Sequence, residues 1–328
     1  MREHRTEDDV LFLSAADVHA SLSCDACFAA VRQAMIAHSS GVTRHLLRSF
    51  IGMGEGRTFA QMPAALSIDG YFGAKLVSVF ADPADPAHHA HRGLVVLFEG
   101  ESGAPVCVAD AGAITKLRTG AASAVATGAL ARPDARVLAI LGTGHQAESH
   151  VLALSRVREF HTVRVWGRNP ERLAAFIRRM ADATKHSIEP AASAPEAVAD
   201  ADVVCTVTSA SQPILRGEWL AKGSHVNIVG SSAPGPVEVD DALVVNSRFF
   251  VDCREHVIRH GAEFLRAKSA GLIDDDHIVA EIGEVLRGQH PGRQGADEIT
   301  VYKSLGHAVQ DLAAVACLYE QACGKASA

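Results

Sequence analysis

The chain of 328 residues is 48% hydrophobic with a formal net charge of −7, so it can bury a large core in about two domains and lacks the positive excess of a nucleic-acid binder. The charged N-terminus, residues 1–9, has no apolar signal-peptide core, and no later run approaches the ~20 apolar residues of a membrane span; neither nucleic acid nor membrane is an expected partner, and the expected location is the cytoplasm. Seven cysteines spread from Cys24 to Cys323 are an odd number in a large chain and read as reduced thiols.

Residues 10–13 predict a short strand, and Ser14-Ala15-Ala16-Asp17 supplies a capping start to a first helical segment. Cys24-Asp25-Ala26-Cys27 has no second cysteine pair for zinc and opens a helix-like run rather than following a strand, so it predicts neither a metal nor a redox site. The run continues over 27–38 with Phe28, Val31, Met35 and Ile36 at helical spacing. Short strand-like runs follow at 46–51, 58–62, 71–79, 94–98 and 105–109, separated by turn signals and without helices between them, which predicts an antiparallel sheet. Gly100-Glu101-Ser102-Gly103 reads as a hairpin connection. His88, His89 and His91 fall in what reads as a polar loop over 81–92, without the Glu or Cys partners of a metal site, and no metal is expected. An Ala-rich helix over 114–130 leads to the next strand.

That strand, 137–141, breaks into Gly142-Thr143-Gly144-His145-Gln146-Ala147 and then a helix-compatible segment. This is the strand–turn–helix order of a dinucleotide phosphate site: Gly142 turns without a Cβ clash, Gly144 admits the pyrophosphate, and Ala147 permits close helix–strand packing. A second strand at 162–166 arrives at βαβ spacing and ends in Gly167-Arg168-Asn169-Pro170. An NAD site usually places an acid near this strand end for the ribose 2′-hydroxyl, whereas here stand Arg168 and, one turn on, Arg172, which favours NADP(H). Asn169 followed by Pro170 also reads as simple helix capping. Segment 187–190, a helix over 195–201, strands at 202–208, 225–230 and 249–252, a helix over 277–287, a strand over 299–306 and a last helix over 307–323 complete the pattern. Strand–helix alternation predicts a Rossmann-type, doubly wound parallel sheet.

Arg48 and Lys75 lie inside apolar strand-like runs and Arg118 inside the Ala-rich helix. Buried cations need partners, either internal carboxylates or an anionic ligand, and three of them converging suit a substrate carboxylate.

Met62-Pro63-Ala64, Gly73-Ala74-Lys75, Ile114-Thr115-Lys116-Leu117-Arg118-Thr119-Gly120-Ala121-Ala122-Ser123, the Gly142–Ala147 loop and Thr300-Val301-Tyr302-Lys303-Ser304-Leu305-Gly306 together resemble the ornithine cyclodeaminase/mu-crystallin family from about residue 10 to about residue 319. The resemblance implies a homodimer whose substrate and dimerisation domain, of α+β type, comes from both chain ends (1–117 with 307–328), around an NAD(P)-binding Rossmann domain (118–306). It implies an amino acid or related imine as substrate, its carboxylate held by Arg48, Lys75 and Arg118, with Lys75 and Ser232 as candidate catalytic groups. Candidate cofactor contacts are His91, Arg118, Gly142, Gly144, His145, Gln146, Ala147, Gly167, Arg168, Asn169, Thr206, Ser232 and Ser304, with NADP(H) preferred and NAD(H) possible. His91 is a second candidate proton donor beside its plain reading as a loop histidine. Where the cyclodeaminase branch carries a Glu before Met-Pro and a catalytic Asp, this chain has Ala60 and Ser232, which argues against cyclodeamination. Ser232 and Arg168 look like the mu-crystallin/ketimine reductase branch, implying NADPH-dependent reduction of a cyclic 2-imino acid. Amino-acid dehydrogenation, as by alanine dehydrogenase, cyclodeamination, and a cofactor-dependent binder without turnover stay open as alternatives.

Overall fold

The computed structural model describes residues 10–55, 57–82, 85–184, 186–232 and 234–324, with the backbone alone at 81, 82, 85–91 and 182. The chain divides into two compact units, Met1–Arg118 with His307–Ala328, and Thr119–Gly306.

The first unit opens with β1 (Leu11–Leu13), α1 (Ala15–Ser21) and α2 (Cys24–Ser39). Ser14 and Asp17 form a reciprocal capping box on α1, and Ser23 caps α2 separately, so the helical run splits in two and Cys24 and Cys27 occupy the first turn of α2. Strands β2 (Arg44–His45), β3 (Ser49–Gly52), β4 (Thr58–Ala65), β5 (Phe72–Asp82), β6 (Asp85–Phe98) and β7 (Pro105–Asp110) follow, and then α3 (Ala111–Leu130), within which the division falls. The sheet runs β1-β7-β6-β5-β4-β2, with β3 also on β4; every pairing is antiparallel except β1 with β7.

The expected loop over 81–92 is instead the outer part of a long β5–β6 hairpin, in which Ala81 faces His89 and Val79 faces His91. Pro86 is tolerated there because β6 pairs with β7 only from Leu94 onward, so the proline faces no second ladder. The side chains of His88, His89 and His91 lie outside the described residues. One face of the sheet carries the buried Ala60, Met62, Val77, Val95, Leu97 and Cys107. The C-terminal helix, Ala308–Ala322, packs on β4, β5, β6, β7 and α2. Gly73 is required here: a Cβ would stand 1.9 Å from the Val96 carbonyl oxygen and 3.3 Å from Leu312 of that helix.

The second unit contains β8 (Val137–Leu141), α4 (His145–Leu154), β9 (Thr162–Trp166), α5 (Pro170–Ala183), β10 (Ser187–Pro190), α6 (Ala194–Val198), β11 (Val203–Thr206), β12 (His225–Ile228), α7 (Asp241–Val245), β13 (Arg248–Val251), α8 (Arg254–His260), α9 (Ala262–Ser269), β14 (Ile278–Glu281), α10 (Ile282–Leu286) and β15 (Thr300–Lys303). Its eight strands run β10-β9-β8-β11-β12-β15-β13-β14 and every pairing is parallel. Strands β11, β12 and β15 are buried at every residue, as parallel strands covered on both faces must be. The chain winds outward from β8 through β9 to β10, then returns to place β11 on the other side of β8. The β8/β11 boundary is therefore a topological switch point, where the carboxyl ends of the strands open a crevice.

The expected helix over 277–287 is corrected to edge strand β14 followed by the short α10. Ile278 and Ala280 point inward and pair beside β13, and Glu281 with Glu284 closes a capping box that starts the helix only at Ile282. Helices α7, α8 and α9 had no sequence prediction. Among the described residues no helix is long and apolar enough to cross a membrane.

Candidate functional site

At the switch point Gly142 has φ +135°, and a Cβ there would come 2.8 Å from the Val207 carbonyl oxygen; its N–H donates to the Trp166 carbonyl at 2.8 Å. Only glycine suits both the conformation and the space. Gly144 is the N-cap of α4 and has no side chain to cap the first turn, so the N–H groups of His145, Gln146 and Ala147 begin the helix without a side-chain acceptor from that position. Ala147 is fully buried beneath them. This cradle fits a dinucleotide pyrophosphate: backbone donors, a helix N-terminus and no intruding Cβ. Gly167 and Arg168 follow β9; Arg168 is exposed and has no partner among the described residues. The Asn169 side chain accepts from the Arg172 N–H at 2.9 Å, which is its capping role.

Two residues expected at the cofactor are held inside the unit. Thr206 is fully buried, and its hydroxyl donates to Glu238 Oε2 at 2.8 Å. Ser304, 3% exposed, follows β15, and its N–H donates to the Ile228 carbonyl at 3.0 Å. Glu238 also accepts from the N–H groups of Thr208 and Gly230 at 2.6 and 2.7 Å, so it ties the ends of β11 and β12 together. Burial pushes its carboxyl up, against those donors. The neighbouring Glu263 accepts from Ser231 Oγ and from the Glu238 N–H, and pairs with Lys303 Nζ at 2.8 Å. Burial opposes its ionisation, but Lys303 prevails and holds the carboxyl below its usual range. Lys303 donates further to the Ser231 carbonyl and hydroxyl, both at 2.6 Å. Ser232, half-buried, is the next residue along this braced segment.

The first unit holds the expected cations. Lys75 Nζ on β5 is 5% exposed and donates to Thr115 Oγ1 at 2.6 Å and Asp311 Oδ1 at 2.9 Å. Arg118 on α3 sends Nε to the same Asp311 Oδ1 at 3.0 Å and Nη1 to Gln310 Oε1 at 3.2 Å. Its Nη2 has no partner among the described residues. Arg48 is only half-buried and lies in the irregular segment before β3 rather than within a strand. Burial lowers the Lys75 ammonium to about 8; Arg118 and Arg48 push the same way, and Asp311 opposes them. Burial also opposes the ionised form of Asp311, but Arg118 and Lys75 outweigh it and hold the carboxyl below its usual range. Asp311 was not anticipated. The available signal was one acid, beside Gln310, within an otherwise apolar stretch from Ala308 to Val315, since a buried acid requires a cation. Of the remaining candidate, His91, only the backbone is described, opposite Val79.

An all-parallel doubly wound sheet with a glycine loop at its switch point defines a Rossmann-type dinucleotide fold. The chain belongs to the ornithine cyclodeaminase/mu-crystallin family, which it matches over residues 8–326. It is 35% identical over 314 residues to the ketimine reductase mu-crystallin of Mus musculus, covering 94% of this chain and 96% of that protein. The structure of Thermococcus litoralis Δ1-pyrroline-2-carboxylate reductase in complex with NADH and L-proline superposes with a TM-score of 0.92 at 30% identity, covering 96% of this chain and 98% of that one. An archaeal alanine dehydrogenase dimer with bound NAD gives 0.89 at 32% identity, covering 96% and 97%.

Proposed function

We propose that this chain is an NADPH-dependent ketimine reductase, converting a 2-imino acid, preferably cyclic, to the corresponding L-amino acid. The observation that carries the reading is the charge balance around Lys75. Two buried cations, Lys75 and Arg118, share one internal carboxylate, Asp311, and two minus one leaves one positive charge for an anionic substrate. Arg118 still has Nη2 to offer, and a carboxylate accepts such donors in the plane of the guanidinium.

The Gly142 loop and the N-terminus of α4 would hold a nicotinamide dinucleotide, whose chemistry there would be hydride donation. The Lys75 ammonium spends two of its N–H groups on Thr115 and Asp311. The third is the proton for the imine nitrogen as C=N becomes C–N, after which the neutral amine regains a proton from water. Holding the carboxylate beside this donor removes part of the barrier by positioning. Arg168, exposed and uncommitted among the described residues, supports NADPH over NADH through the 2′-phosphate. Ser232 and Ala60, in place of the carboxylates of the cyclodeaminase branch, leave ornithine without a base there.

A homodimer is part of the reading. The sheet face opposite the C-terminal helix is apolar across neighbouring strands: Phe12 beside Val108, Phe72 stacked on Phe98 at 5.2 Å, Leu76 opposite Leu94, and Ile51 opposite Phe59. Phe12 and Ile51 are 73% and 58% exposed, and a monomer rarely leaves so continuous an apolar face to water.

Oxidation of NADPH and of NADH is measured with five- and six-membered cyclic 2-imino acids and with pyruvate plus ammonia or methylamine, using L-ornithine plus NAD⁺ as control. Turnover of a cyclic imine with NADPH supports the reading. The similarity to alanine dehydrogenase favours one second reading, for which the pyruvate–ammonia arm alone would be active. Proline and ammonia from ornithine would defeat the argument from Ser232.

A further inference from the structure

The salt bridge that joins Lys75 to Arg118 is built around a single atom. Asp311 Oδ1 accepts from Lys75 Nζ at 2.9 Å and from Arg118 Nε at 3.0 Å, while its Oδ2 is buried without a partner among the described residues. Asp311 is itself fully buried and lies in the first turn of the C-terminal helix, where the helix dipole favours a negative charge. The adjacent Gln310 takes Arg118 Nη1, so two successive residues of that helix hold the guanidinium by two of its nitrogens. Thr115 Oγ1 gives its own hydrogen to the Ala111 carbonyl at 2.5 Å and therefore receives from Lys75. Both cations are thus fixed in rotamer by groups of the chain itself, each with donor capacity left over.

We propose that Asp311 is a positioning residue for imine reduction: through Oδ1 it aims Lys75 and Arg118 together and keeps Lys75 protonated until the imine nitrogen takes the proton. The inference rests on the reductase reading above. The groups acting on Lys75 are Asp311 from the C-terminal helix, Thr115 and Arg118 from α3, and Arg48 from the segment before β3. Burial, Arg118 and Arg48 all favour the neutral amine, and Asp311 favours the ammonium. A purely structural ion pair would affect stability; this one also sets the pH at which the proton donor is lost.

Because the donor must be charged, activity is present below the pKa of Lys75 and declines as pH rises through it. In Asp311→Asn the favourable charge is gone, and the alkaline limb of kcat and of kcat/KM moves to lower pH by about one to three units. Asp311→Glu, which keeps the charge, leaves the limb near its wild-type position even where kcat falls. NADPH affinity, read by fluorescence titration, stays within about twofold in both, since a general folding defect would weaken it. A limb that stays in place in Asp311→Asn while activity drops uniformly would overturn the inference and leave Asp311 a packing residue. Should that variant fail to fold by circular dichroism, Asp311→Ser removes the same charge with a smaller side chain: the limb again moves to lower pH, and an unmoved limb counts equally against the inference. Wild-type protein inactive on every imine means that the reductase reading fails; an active wild type with an unmoved limb means that Asp311 alone was misread.

Discussion

In the proposed reading, Arg168 is the residue that selects the dinucleotide at the loop after β9. It is exposed and uncommitted among the described residues, so its guanidinium is available to a 2′-phosphate, and a charge-assisted contact of this kind contributes about 1.5–3 kcal/mol at most. Arg168→Ala is expected to raise the KM for NADPH about tenfold while leaving that for NADH nearly unchanged; equal changes for both would place the discrimination elsewhere. Arg168 was legible from sequence because its place after a βαβ strand is a local matter. The Lys75 and Arg118 cations were legible too, as charges in apolar runs, but their carboxylate was not. Asp311 stands 236 residues from Lys75, and only the docking of the last helix on the sheet brings them within 2.9 Å. Thr206, a cofactor candidate implied by the family resemblance, has its hydroxyl drawn inward by Glu238, a partner 32 residues on that no local pattern reveals.

At the level of elements, the segment that carries Ser232 is tied through Ser231 to a buried ion pair. Lys303 of β15 and Glu263 of α9 are both fully buried, and Lys303 also bonds the Ser231 carbonyl and hydroxyl. Glu263→Ala strands the Lys303 charge, and we expect a loss of about 3–5 kcal/mol in chemical denaturation, as is typical when one partner of a buried pair is removed. A loss below ~1 kcal/mol would mean that water reaches Lys303 and that the pair does not brace the segment. The strand–loop–helix from β8 to α4 could be read directly, because the glycines, the apolar run and the helix that follows are contiguous. The β5–β6 arm and β14 could not. In the first, His and Pro residues resembled a polar loop until pairing with the opposite strand defined the hairpin. In the second, Ile278-Val279-Ala280-Glu281 fits a helix as well as a strand over so short a span, and the neighbour β13 decides.

On the scale of the whole molecule, the chain folds into two units whose boundary falls within α3, and the first is completed by the C-terminal helix. That helix covers one face of the antiparallel sheet, and the other, apolar face is the one proposed above to meet a second copy. Leu94, 48% exposed near the middle of that face, is the place to test it. Leu94→Asp is expected to shift the protein from dimer to monomer in analytical ultracentrifugation, since a charge at the centre of a dry interface has no partner; a variant that remains dimeric would exclude this face. Hydride addition to the imine carbon can be followed by deuteride tracing. NADPH carrying deuterium at the transferable C4 position is incubated with the protein and a six-membered cyclic 2-imino acid, and the product is analysed by mass spectrometry and NMR. One deuterium per product molecule is expected, at the carbon bearing the carboxylate and in the L configuration. Intact NADPH, or an amino acid without deuterium at that carbon, would contradict it.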